Sequence, residues 1–241
     1  MVLPERKEDQ IVSLEKFSDP NFLPTRDQII KAFPDWHQWF EFCFNKENPT
    51  FEFLNNEYLE SLTEYFIDKN KEYGTNKNEP LVILEIGAGN GRLSHFLQQK
   101  LDSKIPRQTK VIATDSGAWT IKNDFLVEQL NHNEAIEKYN PKIVIFSWMP
   151  YQEDSSKDIR KFKSVQEYIL IGETDGGCCG DEWETWGQSW REEDLDKTVP
   201  PYEADGFERI DLDDVSELQI CRCDEPGNYY HSRTVSFKRK K

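Results

Sequence analysis

The most regular hydrophobic pattern lies in the second part of the chain, where short apolar runs alternate with amphipathic stretches. Short runs with apolar centres and the length of strands lie at residues 82–86, 110–115, 142–147 and 167–172. Continuous runs of this length are typical of parallel strands that are buried on both faces. Strands that alternate with helices predict an α/β fold with a central, mostly parallel sheet and right-handed crossovers.

The segments between these strands are marked less clearly. After the first strand, Leu93, Phe96, Leu97 and Leu101 recur at helical spacing. Further helices are predicted over 118–124, 133–138 and 159–166, a short third strand over 125–130, and β-like stretches over 207–211, 217–223 and 233–238. A turn at 224–228 separates the last two stretches, so a C-terminal antiparallel hairpin is expected.

The first part of the chain has a different pattern, helical and rich in aromatic residues from 21 to 73. One helix is expected to start within Pro24–Asp27 and another to cover 55–68. The polar segment 74–80 is the natural linker. We therefore expect an N-terminal helical extension over 1–77 and an α/β domain over 78–241. The pattern leaves open whether the extension covers the ligand pocket or packs outside the sheet.

A glycine-rich turn follows the first strand, with Glu85 two residues before Gly87 and further glycines at 89 and 91. Glycine permits positive φ and removes the Cβ that would collide with a ligand. This order of strand, glycine turn and helix is how an α/β fold brings its backbone close to a nucleotide-like ligand.

Two ligand classes compete for such a turn. A dinucleotide site requires the spacing G-x-G-x-x-G, but Arg92 stands where its third glycine would be. The segment instead resembles motif I of class I S-adenosylmethionine-dependent methyltransferases, (D/E)-x-G-x-G-x-G, which it fits at every defined position. The resemblance covers roughly residues 78 to 240 and implies a Rossmann-like methyltransferase sheet. It also implies that Glu85 organises the glycine loop and the methionine end of S-adenosylmethionine.

The second strand also ends in an acid, Asp115. A carboxylate there can accept two hydrogen bonds from ribose hydroxyls, and the resemblance gives Asp115 this role, although a simple turn residue is the alternative. The residues expected to bind the cofactor are Glu85, Gly87, Ala88, Gly89, Gly91, Arg92, Asp115, Ser116, Ser147 and Trp148.

Ligands of open α/β sheets bind beyond the carboxyl ends of the strands, which also points to the segments after Ser147 and Gly172. In the methyltransferase family the first of these faces the transferable methyl group. A subset that acts on planar nitrogens carries Asn-Pro-Pro-Tyr there, and this chain keeps only Pro150-Tyr151. Nucleobase methylation is therefore not expected. Trp148 and Tyr151 either stack on a flat or cationic substrate or fill space at the sheet edge.

Acidic and phenolic groups in these two segments are the candidates for proton transfer. They are Tyr151, Glu153, Asp154 and Glu173, with Tyr151 as an orienting group and Asp175 as a further acid. A base is needed only when the methyl acceptor holds a proton that it must lose.

The charge of the chain narrows the choice of acceptor. The formal net charge is −15, and seven acids stand against one arginine between Asp181 and Asp196. Such a chain repels phosphates on average, so nucleic acid is not expected as a partner. The acids either serve as a solubilising surface or favour a cationic substrate, such as an amine or a basic peptide.

Other features add little. No run of eighteen apolar residues occurs, so no membrane span is expected. The five cysteines lack C-x-x-C spacing, so ordinary thiols are favoured over a metal site. A reducing compartment is expected, cytoplasmic or, given the basic tail at 238–241, nuclear. Oligomeric state is left open.

The resulting hypothesis is an enzyme that transfers a methyl group from S-adenosylmethionine to nitrogen or oxygen of a small or peptidic, cationic acceptor. One alternative is a methyltransferase-like scaffold without turnover. The other is an NAD-dependent oxidoreductase, disfavoured by Arg92 and by the 28-residue gap between Gly87 and Asp115.

Overall fold

A computed structural model describes residues 12–45, 49–74, 79–119, 121–122, 124–188, 198–224 and 231–241. In these ranges the helices are α1 (Leu14–Phe17), α2 (Arg26–Ala32), α3 (Trp36–Cys43), α4 (Asn56–Tyr73), α5 (Arg92–Lys104), α6 (His132–Tyr139), α7 (Ser156–Lys161), α8 (Pro201–Ala204) and α9 (Asp213–Ser216). The strands are β1 (Leu81–Ile86), β2 (Thr109–Asp115), β3 (Glu128–Gln129), β4 (Ile143–Ser147), β5 (Glu167–Glu173), β6 (Phe207–Asp211) and β7 (Ser232–Arg239).

The strands form one sheet in the order β3-β2-β1-β4-β5-β7-β6. The first five positions in this order run parallel, and β7 lies antiparallel between β5 and β6. The predicted α/β class, with a mostly parallel sheet and an antiparallel C-terminal pair, is confirmed. This order places the carboxyl ends of β1 and β4 side by side at the centre of the sheet, with β2 next to β1.

Alternate side chains of the strands face two separate cores. Ile83 and Ile145 point to the side where α4 and α5 pack, together with Leu62 and Leu97. Leu84 and Val144 point to the other side, where they join Ile136, Ile159 and Phe237. Burial on both faces explains why these strands are continuous apolar runs in the sequence.

A third core holds the N-terminal helices together. Phe17, Phe33, Trp39 and Phe53 pack ring against ring, with centroids 4.9 to 5.8 Å apart. The indole N–H of Trp39 donates to the carbonyl of Arg222, 3.2 Å away. The N-terminal segment is thereby attached to the chain that precedes β7.

The starts of α2 and α4 follow from local chemistry. The Thr25 side chain accepts a hydrogen bond from the backbone N–H of Gln28, and the Gln28 side chain accepts one from the N–H of Thr25, which is a capping box. Asn55 caps α4 in the same position, accepting from Tyr58. The helix start expected within Pro24–Asp27 is confirmed, and so is the helix expected over 55–68.

Several element predictions were wrong. The described residues between 118 and 124 are not helical, because this segment is tied to the glycine turn: Phe125 N–H donates to Asn90 O, and Asn90 donates to Asp124. The third strand, expected over 125–130, is only the two-residue β3. The helix expected over 159–166 begins three residues earlier, as α7.

The β-like stretch expected over 217–223 is also not a strand of the sheet. It follows α9 as turns, and it pairs instead with the N-terminal segment, where Phe53 N–H donates to Ile220 O and Arg222 N–H to Phe51 O. An isolated bridge joins Glu52 and Cys221. The turn expected at 224–228 lies outside the described residues except for Asp224. In the described ranges no helix is both long and apolar enough to span a membrane.

Candidate functional site

The glycine turn after β1 has the backbone geometry that the sequence predicted. Gly87 has φ +61°, and a Cβ there would lie 2.6 Å from the ring of Phe146. Gly91 has φ +77°, and a Cβ there would lie 2.6 Å from Val127. Neither position can take a side chain without movement of its neighbours, because both combine positive φ with close packing.

Glu85 lies beneath the turn and is almost fully buried. Its carboxylate accepts hydrogen bonds from the backbone N–H of Ser94, at 3.1 Å, and from the Ser94 hydroxyl. Ser94 lies in the first turn of α5, where backbone N–H groups lack partners within the helix. Burial raises the pKa of Glu85 to about 7, although the Ser94 hydrogen bonds oppose the shift.

Asp115 connects the ends of β1 and β2. One carboxylate oxygen accepts from the N–H of Gly89 at 2.9 Å, and the other accepts from the N–H of Gly117 at 2.8 Å. A carboxylate has about four acceptor positions, so these two bonds orient the group and leave capacity for two ligand hydroxyls. The glycine turn and Asp115 therefore lie at the same edge of the sheet, beyond the carboxyl ends of β1 and β2.

The strands are arranged as in the Rossmann-like sheet that the resemblance to class I methyltransferases implied, mostly parallel with an antiparallel C-terminal pair. A cavity of about 370 Å³ begins at the glycine turn and reaches the segment after β4. A recess of about 220 Å³ adjoins it and shares Gly89, Asp115, Trp119 and Ile121 with it. Cofactor sites usually occupy a few hundred Å³. The N-terminal segment from Pro49 to Glu52, together with Leu54, also lines the cavity.

The other predicted cofactor residues lie around the same cavity. Ala88, Ser116, Ser147 and Trp148 line it. Arg92 also lines it, but its guanidinium donates to the carbonyl of Phe22 and so links α5 to the N-terminal segment. The roles of these residues in binding stay predictions.

Trp148 has an unusual backbone for a bulky residue, with φ +58°. Its N–H donates to Ile171 O at 2.7 Å, and its indole N–H donates to the Glu52 carboxylate at 3.1 Å. Positive φ at such a residue costs on the order of 1–3 kcal/mol and is found mainly at functional sites. The strained turn directs the indole into the wall of the cavity.

Glu52 is the functional candidate that sequence reasoning missed. Its second oxygen accepts from the side chain of Gln219 at 3.3 Å. Burial raises the pKa of Glu52 to about 8, helped by the nearby charge of Asp224 and opposed by the hydrogen bonds from Trp148 and Gln219. The available signal was a single acid between Phe51 and Phe53, where an apolar residue would suit the surrounding pattern.

Aromatic rings line the same cavity as this carboxylate. The ring of Phe51 lies 5.6 Å from that of Trp148 and 6.1 Å from that of Trp119, between centroids. The Arg222 guanidinium lies over Phe51 at 4.6 Å. Aromatic rings attract cations at such distances. Because Arg222 already lies over Phe51, a bound cation would meet the rings of Trp148 and Trp119.

The four predicted proton-transfer groups are placed differently from one another. Glu153 lines the cavity, whereas Tyr151, Asp154 and Glu173 do not. Tyr151 is 58% exposed. Asp154 is turned inward, where it accepts hydrogen bonds from Ser156 and Thr185, an arrangement that holds two loops together. The proton-transfer role of Asp154 stays a prediction, and its structural contacts do not favour it.

Glu173 is buried at the end of β5 and accepts a hydrogen bond from the N–H of Cys178 at 2.9 Å. Burial raises its pKa. Asp175 forms a bidentate ion pair with Arg209. His132 does line the cavity, with its Nε2 atom 3.1 Å from the carboxylate of Asp158. Among the described residues, these contacts leave Glu52 and Glu153 as the carboxylates at the cavity wall beyond the glycine turn.

Comparison with known proteins finds similarity in structure alone. No family model and no curated protein matches the sequence. The CurJ carbon methyltransferase is similar at 14% identity and TM-score 0.46, over 90% of this chain and 61% of that chain. The CMeT domain of the citrinin polyketide synthase is similar at 14% identity and TM-score 0.44, over 76% and 52%.

A third similar structure is the magnesium protoporphyrin IX methyltransferase from Synechocystis PCC 6803 with bound SAM, at 14% identity and TM-score 0.41, over 76% of this chain and 80% of that chain. The present chain spans about half to three fifths of the carbon methyltransferase structures. The fold assignment rests on strand order and on the glycine turn, and the acceptor does not follow from these similarities.

Proposed function

We propose that this chain binds S-adenosylmethionine and methylates the nitrogen of a cationic amine acceptor, either a small molecule or a peptide. The observation that carries the proposal is the Glu52 carboxylate, held by the Trp148 indole in the wall of the cavity that begins at the glycine turn. An acid with a pKa near 8 among aromatic rings suits a group that receives a proton from an ammonium.

The residues at the glycine turn fit the cofactor. Asp115 has acceptor capacity for a ribose diol, and the left-handed glycines let backbone approach the ligand closely. Glu85 offers negative charge to the cationic methionine end. When bound there, S-adenosylmethionine supplies a methyl group activated by its sulfonium.

The side chains beyond the turn would prepare the acceptor. The carboxylate form of Glu52 would attract the ammonium group of the acceptor. The rings of Trp148 and Trp119 would contact the carbon atoms next to that ammonium group. Glu52 would then accept one proton, which would leave a free lone pair on the acceptor nitrogen. The two rings would help to hold the acceptor in line with the methyl group, and such alignment would supply much of the rate. Exposed acids such as Glu153 at the cavity favour entry of a cation.

Binding of the cofactor is the first test. Isothermal titration of the intact chain with S-adenosylmethionine and S-adenosylhomocysteine should give one site of micromolar affinity, and NADH titrated in parallel should not bind. Binding of NADH in place of both adenosyl ligands would support the oxidoreductase alternative and contradict the proposal.

Turnover is the second test. Cell extract incubated with the protein and methyl-labelled cofactor is separated into small-molecule and protein fractions, and labelled products are tested for basic nitrogen. Label in an amine or a basic side chain supports the proposal. Cofactor binding without any transfer would support the scaffold alternative, and label confined to phenols or carboxylates would contradict an amine acceptor.

A further inference from the structure

Three side chains with metal-binding atoms meet outside the cavity, although they come from two separate segments. They are Glu173 at the end of β5, Cys178 in the glycine-rich loop that follows, and Cys223 in the turn after α9. One ligand atom from each lies within 4.8 Å of the other two. The sequence favoured ordinary thiols because C-x-x-C spacing is absent, but the fold brings two cysteines together without it.

The loop that carries Cys178 is shaped around Glu173. A Cβ at Gly177 would lie 2.4 Å from the Cβ of Glu173, so only glycine lets the chain pass there. Gly176 adopts φ +95°, which turns the chain back over the strand end. The N–H of Cys178 then donates to the Glu173 carboxylate at 2.9 Å. The loop thus holds Cys178 next to Glu173.

The turn that carries Cys223 is held by its own hydrogen bonds. The buried carboxylate of Asp224 accepts from the N–H groups of Cys221 and His231. The N–H of Asp224 donates to Cys221 O at 3.0 Å. These hydrogen bonds orient Cys223 without a metal ion. Such preorganisation is expected of a binding site.

We propose that Glu173, Cys178 and Cys223 bind one Zn²⁺ ion, with water in the fourth position. Two thiolates and one carboxylate select zinc over magnesium or calcium, which prefer oxygen ligands. Tetrahedral zinc with Zn–S bonds near 2.3 Å places its sulfur ligands about 3.8 Å apart. The three ligand atoms lie within 4.8 Å of one another, so an approach of about 1 Å brings them to the spacing of tetrahedral zinc ligands.

The ion would join the loop after β5 to the turn after α9. This turn includes Cys221, which bridges to Glu52, so the site would stiffen the wall of the cavity from behind. Zinc binding at these three residues does not depend on methyl transfer, and it is tested without cofactor or acceptor.

Cobalt substitution tests the site directly. The full chain, reduced with a phosphine and stripped of metal, is titrated with Co²⁺ and then with Zn²⁺. We expect one equivalent to produce thiolate-to-cobalt charge transfer and tetrahedral d–d bands, which zinc then abolishes. Cys178→Ser and Cys223→Ser should each lose the charge transfer and weaken zinc binding at least tenfold, whereas Cys43→Ala should retain both. Undiminished binding in both serine variants would overturn the proposal.

A second measurement uses the unaltered chain, so that it does not depend on the folding of variants. Reduced, metal-stripped protein is alkylated with and without one equivalent of Zn²⁺, and each cysteine is followed by mass spectrometry. Cys178 and Cys223 are both exposed. We expect zinc to slow their modification at least tenfold. Equal modification with and without zinc would overturn the site, whatever the outcome of the cofactor titrations.

Discussion

The carboxylate of Glu52 accepts a hydrogen bond from the indole of Trp148, 96 positions further along the chain. Trp148 directly follows β4, whereas Glu52 lies between α3 and α4 in the N-terminal part of the chain. The bond therefore joins the N-terminal segment to the sheet at the wall of the cavity. The acceptor end of the proposed active site is formed by both parts of the chain together.

Glu52→Gln should separate acceptor chemistry from cofactor binding. The amide keeps the size of the side chain but cannot take a proton. We expect turnover to fall by about 10²–10⁴-fold, the usual contribution of a proton-transfer group. Titration calorimetry should show unchanged affinity for S-adenosylmethionine. Glu153→Gln is the matched control, since Glu153 lines the same cavity. A larger loss of turnover in this control would assign proton transfer to Glu153.

The same substitution should stabilise the protein at alkaline pH. The pKa of Glu52 is about 8 in the folded protein and near 4.5 when unfolded. The folded state therefore holds this proton over a range where the unfolded state has lost it. Folding stability from this group is present at low pH and is lost as the pH rises towards 8. Each unit of pKa difference corresponds to about 1.4 kcal/mol.

Urea unfolding of the wild type and of Glu52→Gln across this range measures the effect. We expect the free energy of unfolding of the wild type to fall relative to the variant by on the order of 2–4 kcal/mol between about pH 5 and pH 9. Parallel curves for the two proteins would show that the pKa of Glu52 is the same in the folded and unfolded states.

The contrast between Glu52 and Asp115 shows what a sequence can and cannot predict. Asp115 ends a strand with an apolar centre, Val111 to Ala113, and the neighbouring strand β1 is followed by the glycine turn. Adjacent parallel strands then bring the two strand ends together. Local pattern and a general rule of α/β sheets were sufficient for this half of the site. The main fold was predictable for the same reason.

Glu52 and the Glu173–Cys178–Cys223 cluster depend on contacts that no local pattern encodes. Glu52 reaches Trp148 because residues 51–53 pair with residues 220–222, a stretch that by itself favoured a sheet strand. Likewise, the segment 118–124 was predicted to be helical, but its described residues are not, and Asp124 is hydrogen-bonded to Asn90 of the glycine turn. In both segments tertiary hydrogen bonds decided the conformation.

Asp115→Ala should weaken cofactor binding without unfolding the protein. A hydrogen bond to a charged group contributes about 1.5–3 kcal/mol, so loss of ribose contacts should raise the Kd for S-adenosylmethionine by about 10–100-fold or more. Asp102→Asn, at an exposed acid on α5, is the control and should bind normally. Equal affinity in both variants would exclude Asp115 as the ribose ligand.

Gly87→Ala should abolish cofactor binding, because the new Cβ would lie 2.6 Å from the Phe146 ring at φ +61°. Gly206→Ala is the matched control: Gly206 also has positive φ, at +83°, but a Cβ added there would have no neighbour within 4 Å. Both variants should lose about 1 kcal/mol or more through backbone strain. Only Gly87→Ala should lose binding in calorimetry. Loss in both would point to general destabilisation.

Cofactor affinity should depend on pH through Glu85. Its pKa is about 7 in the folded protein, because burial opposes the charge. A cationic ligand binds the ionised form better, so the ligand lowers this pKa and affinity should fall as the pH drops below 7. For one linked proton, the logarithm of Kd changes by at most about one per pH unit. Calorimetry at about pH 6 and pH 8 should give tighter binding at the higher pH. Glu85→Gln should bind more weakly, with little dependence on pH. A wild-type Kd that is constant over this range would show that Glu85 does not meet the cationic end of the ligand.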